Sequence, residues 1–303
     1  MASTESTYLT DLERPAPSRL TRALRFSARF VRLQPLGTAG LFFLIVILLG
    51  TSFASFLWTS DPEEFSRDML NAPSGEHWFG TARGGQDMWS RVLYGARPSL
   101  MIGFGAVGIS IFIATILALT AGFFKGTLEL LLVAVSQILI AVPGLLWLMM
   151  FTAATGRSVP ILMFAIAFLF TPLIFIVLRG NVLQEQANVY VEASRSIGAS
   201  DVRIMFRHIL PNLMPLVIVQ ASIIIPAAIL AEAGLTFLGL GLDPGTPSWA
   251  VDLGPGARRY FQSGWWLPVF PGLFLALTVL SLNFFGDSLR DVLDPRLRGS
   301  GLV

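Results

Sequence analysis

Apolar stretches of about twenty residues recur along this chain. Each is long enough to cross the hydrocarbon core of a bilayer as a single helix. They lie at about 36–57, 99–124, 129–152, 159–178, 213–233 and 267–285. Inside hydrocarbon every backbone N–H and C=O needs an internal partner, so such runs form helices. The charged fraction supports this reading: 13% of residues are charged, where an average soluble domain has about 25%. The expected fold is an all-α membrane protein with six transmembrane helices.

An even number of crossings puts both termini on one side. Placing them inside assigns to the cytoplasm six arginines of the N-terminal arm, Lys125, four arginines between 179 and 207, and three in the tail, fourteen of the 21 basic residues. Most of the rest fall in two long loops, 58–98 and 234–266, which weigh less in the positive-inside rule. The topology expected is N-in and C-in. Residues 1–35 form a basic arm, 36–98 the first span and a long outer loop, 99–285 the core bundle, and 286–303 a polar tail. In the arm, Arg22, Arg25, Arg29 and Arg32 alternate with apolar residues, which fits either an amphipathic helix on an anionic leaflet or a solvated tail. Trp58 ends the first span as an interfacial anchor. Asp87 to Arg97 reads as a short interfacial helix leading into the second span. Within that span Ala106, Ser110, Ala114, Ala118 and Gly122 stack small residues on one face, the pattern of a closely packed neighbour. The residues leave open whether that neighbour belongs to this chain. Pro143, Pro172, Pro215 and Pro226 fall within spans, where they imply kinks.

The residues exclude several chemistries. Cysteine is absent and the two histidines, His77 and His208, are far apart. There is no phosphate-binding loop with the Gly-Lys-Ser/Thr ending, no nucleophile elbow and no dinucleotide fingerprint. Neither an enzyme nor a nucleic-acid binder is expected, and the chain should hold no cofactor. Ionisable residues inside spans are costly and often functional, and Glu232 is the candidate. It is either a possible pore-lining group or a carboxylate hydrogen-bonded at the interface or to a neighbouring helix; the second reading is favoured. A coupled secondary transporter would show more buried charge and an internal repeat.

One polar segment interrupts the apolar pattern. Ala187 to Ile197 favours helix. Gly198 suits a helix stop, and Ser200 or Asp201 suits the cap of a second helix. On that helix Val202, Met205, Phe206 and Ile209 form an apolar stripe. Leu210-Pro211 ends it before the fifth span. The segment 187–211 is thus an amphipathic helix–Gly–helix elbow at the membrane surface.

Its residues are more specific than its pattern. Glu192-Ala193-Ser194, Gly198 and Leu210-Pro211 resemble the Glu-Ala-Ala signature of bacterial ABC import permeases, with Ser194 in place of the second Ala and His208 at the usual Ile position. A His-Ile-Leu-Pro-Asn ending, here His208 to Asn212, is usual in the peptide-permease branch. Three further blocks are similar to that branch. The first is His77 to Leu100, which includes Gly80-Thr81, Gly85, Asp87, Ser90-Arg91 and Tyr94 to Arg97 and departs at Ala82 and Gln86. The second is Glu232 to Gly241 with Pro247-Ser248-Trp249, and the third is Gly286 to Leu297. The chain resembles the C-type permease subunit of dipeptide/oligopeptide (and nickel) importers over nearly its whole length.

The resemblance implies a type I importer permease of the bacterial inner membrane that imports di- or oligopeptides, with nickel or another small solute as the alternative. It implies a second, homologous permease, two ATPase subunits that bind ATP and Mg, and an extracytoplasmic substrate-binding protein as partners, beside membrane lipid. The elbow would seat in an ATPase and couple ATP hydrolysis to the pore through Glu192, Ala193, Ser194, Gly198, Val202, Met205, Phe206, Leu210 and Pro211. A stand-alone channel or secondary transporter, and a scaffold that only recruits a cytoplasmic partner, are the competing readings.

Overall fold

The computed structural model describes residues 30–57, 61–254 and 262–293. The arginines before Phe30, the Trp58 anchor and the last residues of the third block lie outside the described residues. Among the described residues, helix is the dominant regular structure, with one isolated bridge pairing Thr81 with Asp87. In chain order the helices are α1 (Pro35–Ser52), α2 (Ala54–Leu57), α3 (Met88–Phe124), α4 (Gly126–Ala141), α5 (Gly144–Thr155), α6 (Val159–Gln186), α7 (Val189–Ser196), α8 (Asp201–Phe237), α9 (Trp249–Asp252) and α10 (Trp266–Leu293). Helices α1, α3, α6, α8 and α10 are each long and apolar enough to cross a membrane, and the bent pair α4–α5 makes a sixth crossing if it is counted as one.

The small-residue face finds its neighbour within the chain. Ala106, Ser110, Ala114 and Ala118 are wholly buried, and α3 packs on α6 more extensively than any other helix pair. Ser110 Oγ donates across the contact to the Ala167 carbonyl at 3.1 Å. At Gly122 a methyl group would come within 2.7 Å of Val182 Cγ1, so only glycine permits this approach. Helix α8 packs against both α3 and α6 and also against α10, and α1 lies along α10. One large apolar core joins α3, α6 and α8, and a second joins α1, α3, α8 and α10.

The structure departs from the sequence expectation at four places. The third span is not one helix: α4 and α5 meet at an 88° bend. Val142, extended at φ −86°, ψ 130°, precedes Pro143, which has no N–H to return to the Leu139 carbonyl. Trp147 Nε1 donates to that carbonyl instead, at 3.1 Å, so the break leaves it satisfied. The expected interfacial helix at 87–97 and the second span are a single 37-residue helix, α3, with Pro98 inside it. At about 1.5 Å per residue α3 is far longer than the hydrocarbon core is thick. The fourth and sixth spans also run on as helix, to Gln186 and Leu293.

The fourth departure is Pro211, which does not end the elbow. Ile204–Ile209 are π-helical, with Leu210 N–H bonding back five residues to Met205. Regular α-helix resumes at Leu210 with Pro211 in its first turn, where proline costs little. The second half of the elbow and the fifth span are therefore one continuous helix, Asp201–Phe237.

The α3–α6 contact can be tested at its narrowest point. Gly122→Val is expected to destabilise the detergent-solubilised protein by about 2 kcal/mol, the usual cost of overpacking, seen as a lower thermal unfolding midpoint. An unchanged midpoint would contradict the close approach.

Candidate coupling elbow and buried polar centres

Helix α7 ends in a complete two-bond stop. Gly198 has φ +79°, the left-handed region that glycine enters without strain. Its N–H bonds to the Arg195 carbonyl at 2.9 Å, and Ala199 N–H bonds to the Ser194 carbonyl at 3.0 Å. This is the Schellman arrangement, and it turns the chain sharply into α8. Neither Ser200 nor Asp201 makes the expected side-chain cap: Ser200 takes the capping position without a side-chain bond.

The apolar residues of the elbow divide between two directions. Val191, Ser194, Ile204, Met205 and Ile209 face into the chain and are buried. Val189, Ile197, Val202 and Phe206 face outward, with 80%, 86%, 64% and 49% of their surface exposed. Glu192, Ala193 and Gly198 are also exposed. The stripe expected from the sequence thus splits: Met205 and Ile209 belong to the core, Val202 and Phe206 to the surface. The π turns cause this, because they place Ile204 and Ile209, five residues apart, on the same inward side. Val189 and Ile197, four residues either side of Ala193, complete the outward face. Leu210 is half-buried and Pro211 exposed at the root of α8.

The elbow is fastened to three spans. Gln186 Nε2, at the end of α6, donates to the Phe123 carbonyl at 2.6 Å, and the Arg195 guanidinium of α7 lies 5.1 Å over the Phe123 ring, so α6 and α7 both meet the end of α3. Tyr190 Oη donates to Glu185 at the end of α6 and accepts from Asn212 in α8. Burial, then the Glu185 carboxylate, pushes the Tyr190 phenol above its ordinary pKa, so it stays protonated. None of Glu185, Tyr190 and Asn212 was singled out as a bracing residue from sequence; a polar aromatic two residues before Glu192 is the only signal. Arg179 pairs with Glu129 and joins α6 to α4 on the same side.

Glu232 is fully buried within α8. It accepts from Thr236 Oγ1 at 3.0 Å and from Ser99 Oγ at 3.3 Å, and Ser99 lies 3.4 Å from Ser248 Oγ.

At the end of the bundle opposite the elbow, the other motif residues build a cap. Asp87 starts α3 by accepting from Ser90 N–H at 2.9 Å, and His77 Nδ1 lies 3.0 Å from its other oxygen. Arg91 donates to Asp252 Oδ1 through Nε and Nη2, at 2.9 and 2.7 Å, and to the Pro62 carbonyl through Nη1. Burial pushes the Asp252 carboxyl above the usual range, and Arg91 only partly offsets this. Trp249 Nε1 donates to the Val92 carbonyl at 2.8 Å, and Trp266 Nε1 to the Thr81 carbonyl at 3.1 Å. Arg97 donates twice to the Thr51 carbonyl and holds α1. Ala82 and Gln86, where the first block departs from the family pattern, both line a cavity of about 430 Å³ beside Arg91 and Asp252.

Comparison with known proteins agrees with this arrangement. A family described as the binding-protein-dependent transport system inner membrane component matches residues 82–299, which take in α3 through α10, the elbow included. The chain belongs to this family. Its curated relatives include a putative peptide transport system permease of Brucella suis, 37% identical over 263 residues, covering 86% of this chain and 88% of that one. A di/tripeptide transport system permease of Pseudomonas aeruginosa is 39% identical, with coverage of 86% and 88%. A glutathione transport system permease of Pectobacterium atrosepticum is 38% identical, with coverage of 90% and 91%. Family and helices together make this chain a multi-pass permease of the bacterial inner membrane.

If Glu232 serves as an internal acceptor, Glu232→Ala leaves the Ser99 and Thr236 hydroxyls buried without it. A loss of about 1–3 kcal/mol in stability is expected, measured by thermal unfolding in detergent, and Glu232→Gln should lose less. Wild-type stability in the alanine variant would contradict the role.

Proposed function

We propose that this chain is one half of the translocation pore of an ATP-driven importer of di- and oligopeptides, and that α7 is the seat of an ATPase subunit. The observation that carries this is the outward apolar face of Val189, Ala193, Ile197, Val202 and Phe206 around Glu192, formed by α7, its Gly198 turn and the start of α8 between two spans. A surface-lying linker would bury its apolar residues and expose its polar ones. Here Val191 and Ser194 are buried, while Val189 and Ile197, at the two ends of α7, stay open to whatever lies beyond the membrane surface.

In this reading the elbow end faces the cytoplasm, with both termini on that side. ATP and Mg are bound by two partner ATPase subunits and not by this chain, which is non-catalytic. A second, homologous permease completes the pore, and an extracytoplasmic binding protein delivers the solute to the Arg91–Asp252 cap. Three of the named relatives are peptide, di/tripeptide and glutathione permeases, and this common peptidic chemistry supports a peptide substrate. Closure of the ATPases moves α7, and α7 moves α6 and α8.

Ile197→Asp adds a charge to the centre of the exposed face without touching the core. It is expected to abolish co-purification of the ATPase subunits and ATP-dependent peptide uptake while the chain still inserts in the membrane. Uptake by the chain alone in liposomes, or full retention of the ATPases by this variant, would defeat the proposal.

A further inference from the structure

The polar contacts of the elbow converge on one hydroxyl. Tyr190 Oη donates to Glu185 Oε2 at 2.6 Å and accepts from Asn212 Nδ2 at 3.1 Å. The same Glu185 oxygen accepts from Asn188 Nδ2 at 3.0 Å. Glu185 lies in the last turn of α6 and Asn212 in the first α-helical turn after the π segment of α8. Asn188 is the residue that enters α7. By the backbone, α6 and α8 are linked only through the whole elbow, including the turn at Gly198. The Tyr190 hydroxyl shortens that path to two hydrogen bonds, one of them to a carboxylate and so stronger than a neutral pair. Glu185 and Tyr190 are half-buried, which lessens competition from water for the bond between them, while Asn212 is exposed.

We infer that Tyr190 is a positioning residue for energy coupling: its hydroxyl clamps the elbow-side ends of α6 and α8 to α7, so that a push on α7 displaces both spans together. The inference rests on α7 being the ATPase seat. Without the clamp, the same push is absorbed where α7 bends at Gly198 and where the π turns of α8 begin. The ATPases still bind the outward face of α7, because Tyr190 contributes nothing to that face.

The test uses the full transporter, with partner permease, ATPases and binding protein, in proteoliposomes loaded with ATP and given a dipeptide. Three quantities are measured: ATPase retained, ATP hydrolysed, and peptide imported per ATP. Tyr190→Phe keeps the ring and removes the hydroxyl. It is expected to retain the ATPases and to hydrolyse ATP, while peptide imported per ATP falls roughly threefold or more, the scale of lost hydrogen bonds of ordinary net strength. Glu185→Ala should match it, and the double variant should be no worse than either single one. Glu185→Gln, which keeps a carbonyl acceptor, should stay near wild type. Unchanged peptide per ATP in both Tyr190→Phe and Glu185→Ala, with ATPases bound, overturns the clamp. So does loss of the ATPases in Tyr190→Phe, or failure of that variant to fold, as opposed to the modest drop in unfolding midpoint that two lost hydrogen bonds bring, since Tyr190 would then build the elbow and not link it. Failure of the wild-type chain to bind ATPases would instead overturn the reading of α7 on which the clamp rests.

Discussion

The close approach of α3 and α6 is the contact on which the rest of the structure depends. Lipid tails are as apolar as the helices, so burial alone does not drive helices together in a membrane; packing and interhelical hydrogen bonds do. The small residues from Ala106 to Gly122 permit that packing, and Ser110 adds a bond to the Ala167 carbonyl. Once the two helices are locked, the end of α3 at Phe123 and the end of α6 at Gln186 are held side by side. That is the platform from which the elbow projects.

Helix α3 also connects the two ends of the molecule. Its first turns belong to the polar cap, where Arg91 holds Asp252 and the Pro62 carbonyl. Its last turn lies under α7 through Phe123. A buried ion pair is poor evidence of stability in itself, because desolvation offsets much of the attraction. What Arg91 supplies is registry: from α3 it holds Asp252 and the Pro62 carbonyl, while Trp249 donates to the Val92 carbonyl of α3 and Trp266 to the Thr81 carbonyl of the loop. The result is a hydrogen-bonded cap at one end, a closely packed central pair of helices, and at the other end an elbow with an outward apolar face.

Much of this is legible in the sequence, and the reasons for what is not are physical. Apolar length locates the spans because hydrocarbon leaves the backbone no other solution. The small-residue face and the stop at Gly198 follow from local chemistry, whereas Glu232 is marked only by its place in a span, and its Ser99 partner lies 133 residues away. Pro143 marks a kink, but the size of the bend escapes because hydropathy carries no direction: α4 and α5 are equally apolar, and the Trp147 bond that satisfies Leu139 depends on the bend itself. The division of the elbow stripe escapes because a 3.6-residue period does not hold through π turns. The Tyr190 contacts join residues far apart in the chain, and no local pattern marks them. The interfacial helix before Ser99 and the second span merge because Pro98 is accommodated within α3.

The central claim is that the outward face of α7 is covered by an ATPase subunit. The chain contains no cysteine, so Ile197→Cys provides a single thiol on the outward face, at the end of α7. Maleimide labelling of this variant in native membranes, with and without removal of the ATPase subunits, is the most direct measurement. The account predicts that position 197 is protected while the ATPases are present and labels readily once they are stripped away. Equal labelling in both states would contradict it.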